Sequence, residues 1–226
     1  MKRQDGRNAN EIRPIVIKAG VIEQAQGSAM VSLGNTRAIA AVYGPRALFP
    51  KHLQRPDKAY LNTVYNMVPF STKERNRPGP SRRSNEISKV TRHALEPAIF
   101  LEEFPKSEIF LCIDIIEANA GTRTAGINAA AVALADAGIP MRDFVTSIAV
   151  GKVNGEYIVD MTGKEEEVTH CDLPVAFMPR TKKITLLQMD GDLPQKDVKE
   201  LIQFAMKSAE EIYKKQKEAL RKRWTS

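Results

Sequence analysis

Apolar and polar positions along the chain alternate over short runs in its first third. Ile15, Val16 and Ile17 lie within a run from Arg13 to Lys18. GSAMVSL spans Gly27 to Leu33, and TRAIAAVY spans Thr36 to Tyr43. With Gly20 and Gly34-Asn35 between them, these runs predict a hairpin-rich meander that Gly44-Pro45 ends. Polar residues 1–11 predict a loosely held arm, and residues 46–59, with Pro50 and Pro56, a connecting loop. Alternation returns from Tyr60 to Phe70 through Leu61, Val64, Met67 and Val68, with Pro69 at its end. The next stretch, STKERNRPGPSRR from Ser71 to Arg83, reads as a loop because Pro78-Gly79-Pro80 excludes regular structure.

Helical spacing then takes over. Ser84 is a candidate N-cap, Glu86 suits a first turn, and Ile87, Val90, Thr91, Ala94 and Leu95 form an inner stripe that Pro97 closes. Glu102 to Ser107 predicts a loop. Ile109 to Glu117 predicts a buried strand with Asp114 in its middle. The Ala-rich segment Ala125 to Ala137 carries Ile127, Ala130, Ala131 and Leu134 at helical spacing, and Gly138-Ile139-Pro140 stops it. Phe144 to Val153 and Tyr157 to Val159 read as strands joined at Asn154-Gly155. Leu173 to Met178 and Ile184 to Met189 are two further strands. Asp190 to Pro194 opens one long helix, with Val198, Leu201, Ile202, Ala205, Ala209 and Ile212 on its packed face. The change from a two-helix part to hairpins plus one helix divides the chain into residues 1–148 and 149–226.

Composition narrows the class. Of 226 residues, 42% are hydrophobic and 27% charged, which fits a soluble globular protein of one large or two closely joined domains. No apolar run approaches the roughly 20 residues of a membrane span. The N-terminus has no secretory h-region, and the two cysteines, Cys112 and Cys171, show no metal spacing; the expected location is the cytoplasm. The net charge of +7 favours an anionic partner, with nucleic acid foremost. Aromatics are only 6%, so contact with nucleic acid would rely on charge more than stacking.

Three segments carry candidate chemistry. Ala120 to Thr124 joins a strand to a helix through small residues and one arginine, so free backbone N–H groups, the helix dipole and Arg123 converge on one spot that suits phosphate. An ordinary strand–helix connection is the other reading. The Ser71–Arg83 loop carries Lys73, Arg75, Arg77, Arg82 and Arg83 against Glu74 alone, as a track along a phosphate backbone or as a solvated loop. Arg92 falls beside the inner stripe of its helix, reaching into a cleft or snorkelling to water. In the acidic run 160–172, Asp172 precedes a predicted strand and Glu166 stands six residues earlier. Such carboxylates protonate a leaving oxygen or hold a divalent ion, or simply solvate a connection. The sequence holds no H-E-x-x-H, G-x-S-x-G or G-x-x-x-x-G-K-[ST] motif. Cys112 reads as a core residue, and Cys171 beside His170 is no dyad. An enzyme of this kind needs no nucleophile of its own if inorganic phosphate attacks.

Asp5-Gly6-Arg7, Gly27-Ser28-Ala29, Gly34-Asn35-Thr36, Arg82-Arg83 ahead of Ile-Ser-Lys-Val, and Gly121-Thr122-Arg123-Thr124-Ala125 occur in that order. In these pieces the chain resembles the RNase PH family from about residue 5 to 215. AAAVALADAGIPMRD from Ala129 to Asp143 and the MVPFSTKER loop resemble the family's catalytic members in the archaeal exosome more than bacterial RNase PH. The resemblance implies an α+β RNase PH fold, with an N-terminal half like the second domain of ribosomal protein S5. It implies a 3′-to-5′ exoribonuclease that degrades single-stranded RNA with inorganic phosphate, releases nucleoside diphosphates and adds tails in reverse. It implies a hexameric ring shared with a related inactive RNase PH-like subunit, topped by RNA-binding cap subunits. Two other places in the family are a non-catalytic RNA-binding ring subunit and a homohexameric tRNA-trimming RNase PH. Position by position, it assigns Gly121, Thr122, Arg123, Thr124 and Arg92 to phosphate. Arg82 and Arg83 would hold the RNA 3′ end, with Arg77 and Lys73 along the track. Asp172 would be the principal catalytic aspartate and a ligand for Mg2+. The family's second aspartate is replaced here by Glu166, flanked by Glu165 and Glu167.

Overall fold

The computed structural model describes residue 3 and residues 5–153, 155–169 and 171–225. Strands β1 (Ile15–Ala19), β2 (Gly27–Leu33) and β3 (Thr36–Ala47) form the predicted antiparallel meander. β3 does not stop at Gly44-Pro45. It passes through them by a register shift between Tyr43 and Arg46, because a bulge absorbs the residue that lacks an N–H. β4 (Tyr60–Met67) and β5 (Ser107–Glu117) complete a five-stranded sheet in the order β1-β2-β3-β5-β4, with β4 and β5 parallel. On β5, Ile109, Leu111, Ile113 and Ile115 face the core while Cys112 and Asp114 face the other way. Cys112 is therefore half-buried and not a core residue, and its thiol is pushed up to about 11 by burial and by nearby Asp114. On β4 the buried positions are Leu61, Thr63 and Tyr65, so Val64 points outward.

Helix α1 (Arg82–Leu95) packs on β4. Its N-cap is Ser81, not Ser84: the Ser81 hydroxyl accepts from the Ser84 N–H at 3.0 Å, and Ser84 Oγ accepts from the Ser81 N–H at 2.7 Å. This reciprocal box starts the helix three residues earlier, directly after Pro80. Arg82 and Arg83 thus belong to the helix's first turn and not to the loop. The predicted Pro97 stop is a single 3-10 turn, Glu96–Ala98.

Helix α2 (Thr122–Asp136) is the centre of the molecule. Its predicted stripe is buried, and so is nearly every other position around it. The reason is that it is covered twice, by β2 and β3 of the first sheet and by β6 (Thr146–Val153) of a second. Alanine permits this approach from both sides. A Cβ at Gly27 on β2 would come within 2.1 Å of the Ala137 backbone nitrogen, so that contact requires glycine. Full burial of Ile127 and Leu134 contributes about 1.5–3 kcal/mol each.

The second sheet runs β10-β8-β6-β7, from β7 (Glu156–Val159), β8 (Cys171–Met178), β9 (Lys183–Leu187) and β10 (Asp190–Gly191), with β9 also pairing β8. The chain passes between the sheets in residues 137–145, so a division at 148/149 would cut β6. The predicted Asn154-Gly155 turn is half described: Gly155 has φ +84°, as a primed hairpin turn demands, whereas Asn154 and also His170 lie outside the described residues. A short helix, α3 (Gly163–Glu166), interrupts the acidic run. The predicted final helix is two, α4 (Gln195–Ser208) and α5 (Glu210–Thr225), broken at Ala209. α4 covers β6 and β7, whereas α5 lies on β1 and α2, so the axis must change direction to reach the first sheet. The buried residues Leu201, Ala205, Ala209 and Ile212 keep the stripe continuous across the break.

Candidate active site

The two halves meet at a cleft of about 600 Å³. From the first half it receives Arg83 and Glu86 on α1 and Arg123 at the start of α2; from the second, Glu166 on α3, Asp172 on β8, and Gln188 and Asp190. Arg83 and Glu86 are three residues apart and share one face of α1. Glu86 Oε1 lies 3.8 Å from Arg123 Nη2 and accepts from the Gln188 amide at 3.0 Å.

The predicted anion turn opens α2 itself. Ala120 and Gly121 both occupy the left-handed region, at φ +62° and +63°, and Gly121 is the N-cap. The first ladder bond runs from the Ala125 N–H to the Gly121 carbonyl, which leaves the N–H groups of Thr122, Arg123 and Thr124 outside the ladder. The Thr122 and Thr124 side chains are buried, and the Thr124 hydroxyl donates to the Gly121 carbonyl at 2.8 Å. An anion here would therefore meet backbone N–H groups and Arg123, not threonine hydroxyls.

Among the three neighbouring glutamates the structure discriminates. Glu165 is buried and accepts two hydrogen bonds from Arg3, at 2.8 and 2.6 Å. Burial raises its carboxyl, but Arg3 and the Thr162 backbone outweigh that and hold it below the usual carboxylate range. Glu167 lies in a second cleft with Lys73 and Lys164. Glu166 alone faces Asp172. Burial raises the Glu166 carboxyl against the pull of the Gly121 backbone and of Arg13, Arg83 and Arg123. Asp172 lies inside β8 rather than ahead of it, and its Oδ1 is buried with no hydrogen-bond partner. Burial first, and then Glu166 and Asp190, push it up to about 6 against the opposing charge of Arg123.

Other expected members are placed elsewhere. Arg92 does not join Arg123. It lies nine residues beyond Arg83 on α1, about 13 Å along the axis, in a separate cleft with Arg55, Lys58 and His93. There it donates to the Tyr60 hydroxyl at 3.0 Å and lies 3.6 Å from Glu96. Arg82 is exposed and does not line the Arg123 cleft. Lys73 lines the neighbouring cleft, and Arg77 is exposed on a loop whose base is pinned by Asn76 to Ser71 and Thr72. Glu86, Gln188 and Asp190 carried no sequence signal beyond a favourable first-turn acid and a turn before the last helix.

Among the described residues of the arm expected to be loose, Arg3 and Arg7 are held. Arg3 and Arg7 are only 4% and 8% exposed, because Asp160 and Glu165 are buried beneath them and need cations.

Residues 11–140 match domain 1 of the 3′ exoribonuclease family, RNase PH, and residues 143–208 match domain 2. The chain is 53% identical over 223 residues to the exosome complex component Rrp41 of Pyrococcus furiosus, covering 99% of this chain and 89% of that protein. In fold it superposes on the rice Rrp46 crystal structure with a TM-score of 0.86 at 24% identity, over 96% of this chain and 100% of that one. It also superposes on a chain of an Archaeoglobus fulgidus exosome with RNA bound to the active site, with a TM-score of 0.82 at 26% identity, over 95% and 92% of the two chains. A paired-sheet fold with Arg123 at a helix N-terminus facing Asp172, and two matched domains over most of its length, make this chain a member of the RNase PH 3′ exoribonuclease family.

Proposed function

We propose that this chain is the catalytic RNase PH-like subunit of an exosome-type complex, shortening single-stranded RNA from its 3′ end by phosphorolysis. The single observation that carries the reading is the shared cleft of Arg123 and Asp172. A cation at a helix N-terminus suits the attacking phosphate, and a carboxyl pushed up to about 6 suits a proton donor. Arg123 and the amides of Thr122 to Thr124 hold inorganic phosphate, while Arg83 at the cleft's edge holds the terminal RNA phosphate. A phosphate oxygen attacks the phosphorus of the last linkage in line with its 3′ oxygen. The new P–O bond forms as the P–O3′ bond breaks, Asp172 gives its proton to the leaving oxygen, and a nucleoside diphosphate departs. The reverse step adds one residue from a diphosphate.

Among the described residues no group of three or more His, Cys, Asp or Glu could hold a metal. The Glu166 carboxylate, and Asp172 once it has given up its proton, nevertheless fit Mg2+, which takes one or two carboxylates beside substrate phosphates. Held there, it would supply positive charge to the phosphate oxygens. Assembly in a hexameric ring with a related inactive subunit, under RNA-binding caps, and residence in the cytoplasm belong to the same reading. A non-catalytic ring subunit would need neither Arg123 nor Asp172 at one cleft.

The test is incubation of the chain, alone and in its ring, with single-stranded RNA with and without inorganic phosphate. Nucleoside diphosphates that appear only with phosphate are expected, and equal release of monophosphates without it would sink the reading.

A further inference from the structure

Two pieces of the chain, Asp5-Gly6-Arg7 and Gly34-Asn35-Thr36, lie outside the cleft, yet both end on one buried cluster behind it. At its centre Arg13 is clamped by Asp160. The Arg13 Nε and Nη2 donate to the two Asp160 oxygens at 2.9 and 2.6 Å, and the Arg13 backbone N–H donates at 2.7 Å. Arg7 joins the same residue through Nη2 to the Asp160 carbonyl at 3.1 Å. The other end of the Arg13 guanidinium turns to the phosphate turn: Nη1 donates to the Asn119 carbonyl at 2.5 Å and Nη2 to that of Ala120 at 3.5 Å. Thr36 Oγ1 reaches the same two carbonyls, at 2.9 and 2.7 Å, and accepts from the Asn119 N–H at 3.0 Å. Gly34 makes room for the arginine, since a Cβ there would stand 2.7 Å from Arg13 Cδ.

This geometry explains an otherwise costly backbone. Ala120 in the left-handed region is unfavourable by about 1 kcal/mol or more. A cation and a hydroxyl on the carbonyls of residues 119 and 120 hold those oxygens inside the protein, and the Gly121 backbone that follows is hydrogen-bonded to the Glu166 carboxyl. Asp160 belongs to the second half of the molecule and the turn to the first. The pair therefore sets the register between the anion site and the segment that leads into α3 and Glu166.

We infer that Arg13, clamped by Asp160 and assisted by Thr36, is a positioning residue that holds the Asn119–Gly121 turn in its phosphate-binding form. The inference rests on the phosphorolytic reading above. A lysine at position 13 keeps the charge but cannot fork between Asp160 and two carbonyls. Thr36→Val removes one hydroxyl at nearly unchanged volume.

The test uses the ring assembly with saturating RNA and titrated inorganic phosphate. Arg13→Lys should raise KM for phosphate about tenfold, the scale of lost outer-shell support, while kcat at saturating phosphate changes less than about threefold. Thr36→Val should move KM in the same direction by a smaller factor. The rise in melting midpoint that phosphate produces should shrink in parallel. If both variants melt earlier but keep the wild-type KM, the cluster is structural only and the inference is overturned. If Arg13→Lys does not fold, Thr36→Val with an unchanged KM overturns it. Wild-type turnover that ignores phosphate would instead overturn the proposed function and this inference together, which distinguishes the two failures.

Discussion

Asp172 on β8 faces Asp190 directly across the register with β10. With Glu166 on the third side, three carboxylates surround a space that Arg123 enters from α2 and Arg83 lines from α1. The consequence is a carboxyl whose affinity for a proton is higher in the folded chain than in the unfolded one. Ionising it costs folded-state stability as pH rises from about 4 through about 6.

Asp172→Asn removes that cost. With no divalent ion added, the variant should be more stable than the wild type at pH 8, by roughly 1–2 kcal/mol after allowance for its partial exposure. The difference should vanish below about pH 3, where the carboxyl is neutral in both states. Thermal melts at the two pH values check this, and an equal gain at both would show that the effect is not electrostatic. The same variant should lose diphosphate release while keeping RNA affinity.

Glu86 lies 3.8 Å from Arg123 and, on the phosphorolytic reading, would compete with phosphate for it. Glu86→Gln should lower KM for phosphate by about two- to fivefold, the scale of an exposed pair, and Arg123→Ala should raise it by tenfold or about that per lost charge-assisted bond. Steady-state titration with phosphate separates the two directions. A Glu86→Gln variant with raised KM would mean that Glu86 supports Arg123 rather than occupying it.

Arg83 lines the cleft and Arg82 does not. Arg83→Glu should therefore weaken RNA binding and change the log–log salt slope by about 0.7, whereas Arg82→Glu should do much less. Binding isotherms on single-stranded RNA at several salt concentrations check the ranking. Equal effects would place the RNA along the whole first turn of α1.

Arg3 and Glu165 form a buried pair at 2.6 Å. Arg3→Ala should destabilise the fold by about 3–5 kcal/mol, since it strands a buried carboxylate. The depressed Glu165 pKa means that this contribution is present at neutral pH and is lost as pH falls through the folded-state value. Denaturant unfolding at pH 7 and in acid measures both parts. A small and pH-independent effect would show that Glu165 finds another partner.

Much of this molecule was legible in local pattern. Short apolar runs bounded by turn residues marked β1, β2 and β8, and Ala-rich helical spacing marked α2, because those signals depend on neighbours a few residues away. Arg123 and Asp172, both singled out in the sequence, share one cleft. The Ser81 cap carries no common sequence signature, because its partner is Ser84 rather than the acid of the usual motif. The burial of α2 on all sides was not visible, since an alanine face looks the same against water or against a second sheet.

The sequence by itself determined the elements, the cationic charge and the presence of a strand–turn–helix with an arginine at its N-terminus. Only tertiary structure decided which charges meet. Three adjacent glutamates are chemically alike, yet Arg3, reaching Glu165 from 162 positions away, commits one of them and leaves Glu166 to the cleft. Arg92 was separated from Arg123 by the length of α1, and Asp190 was brought to Asp172 by strand pairing. Charge type is a property of the residue, but partnership is a property of distance. Distances between remote segments exist only once both sheets close on α2.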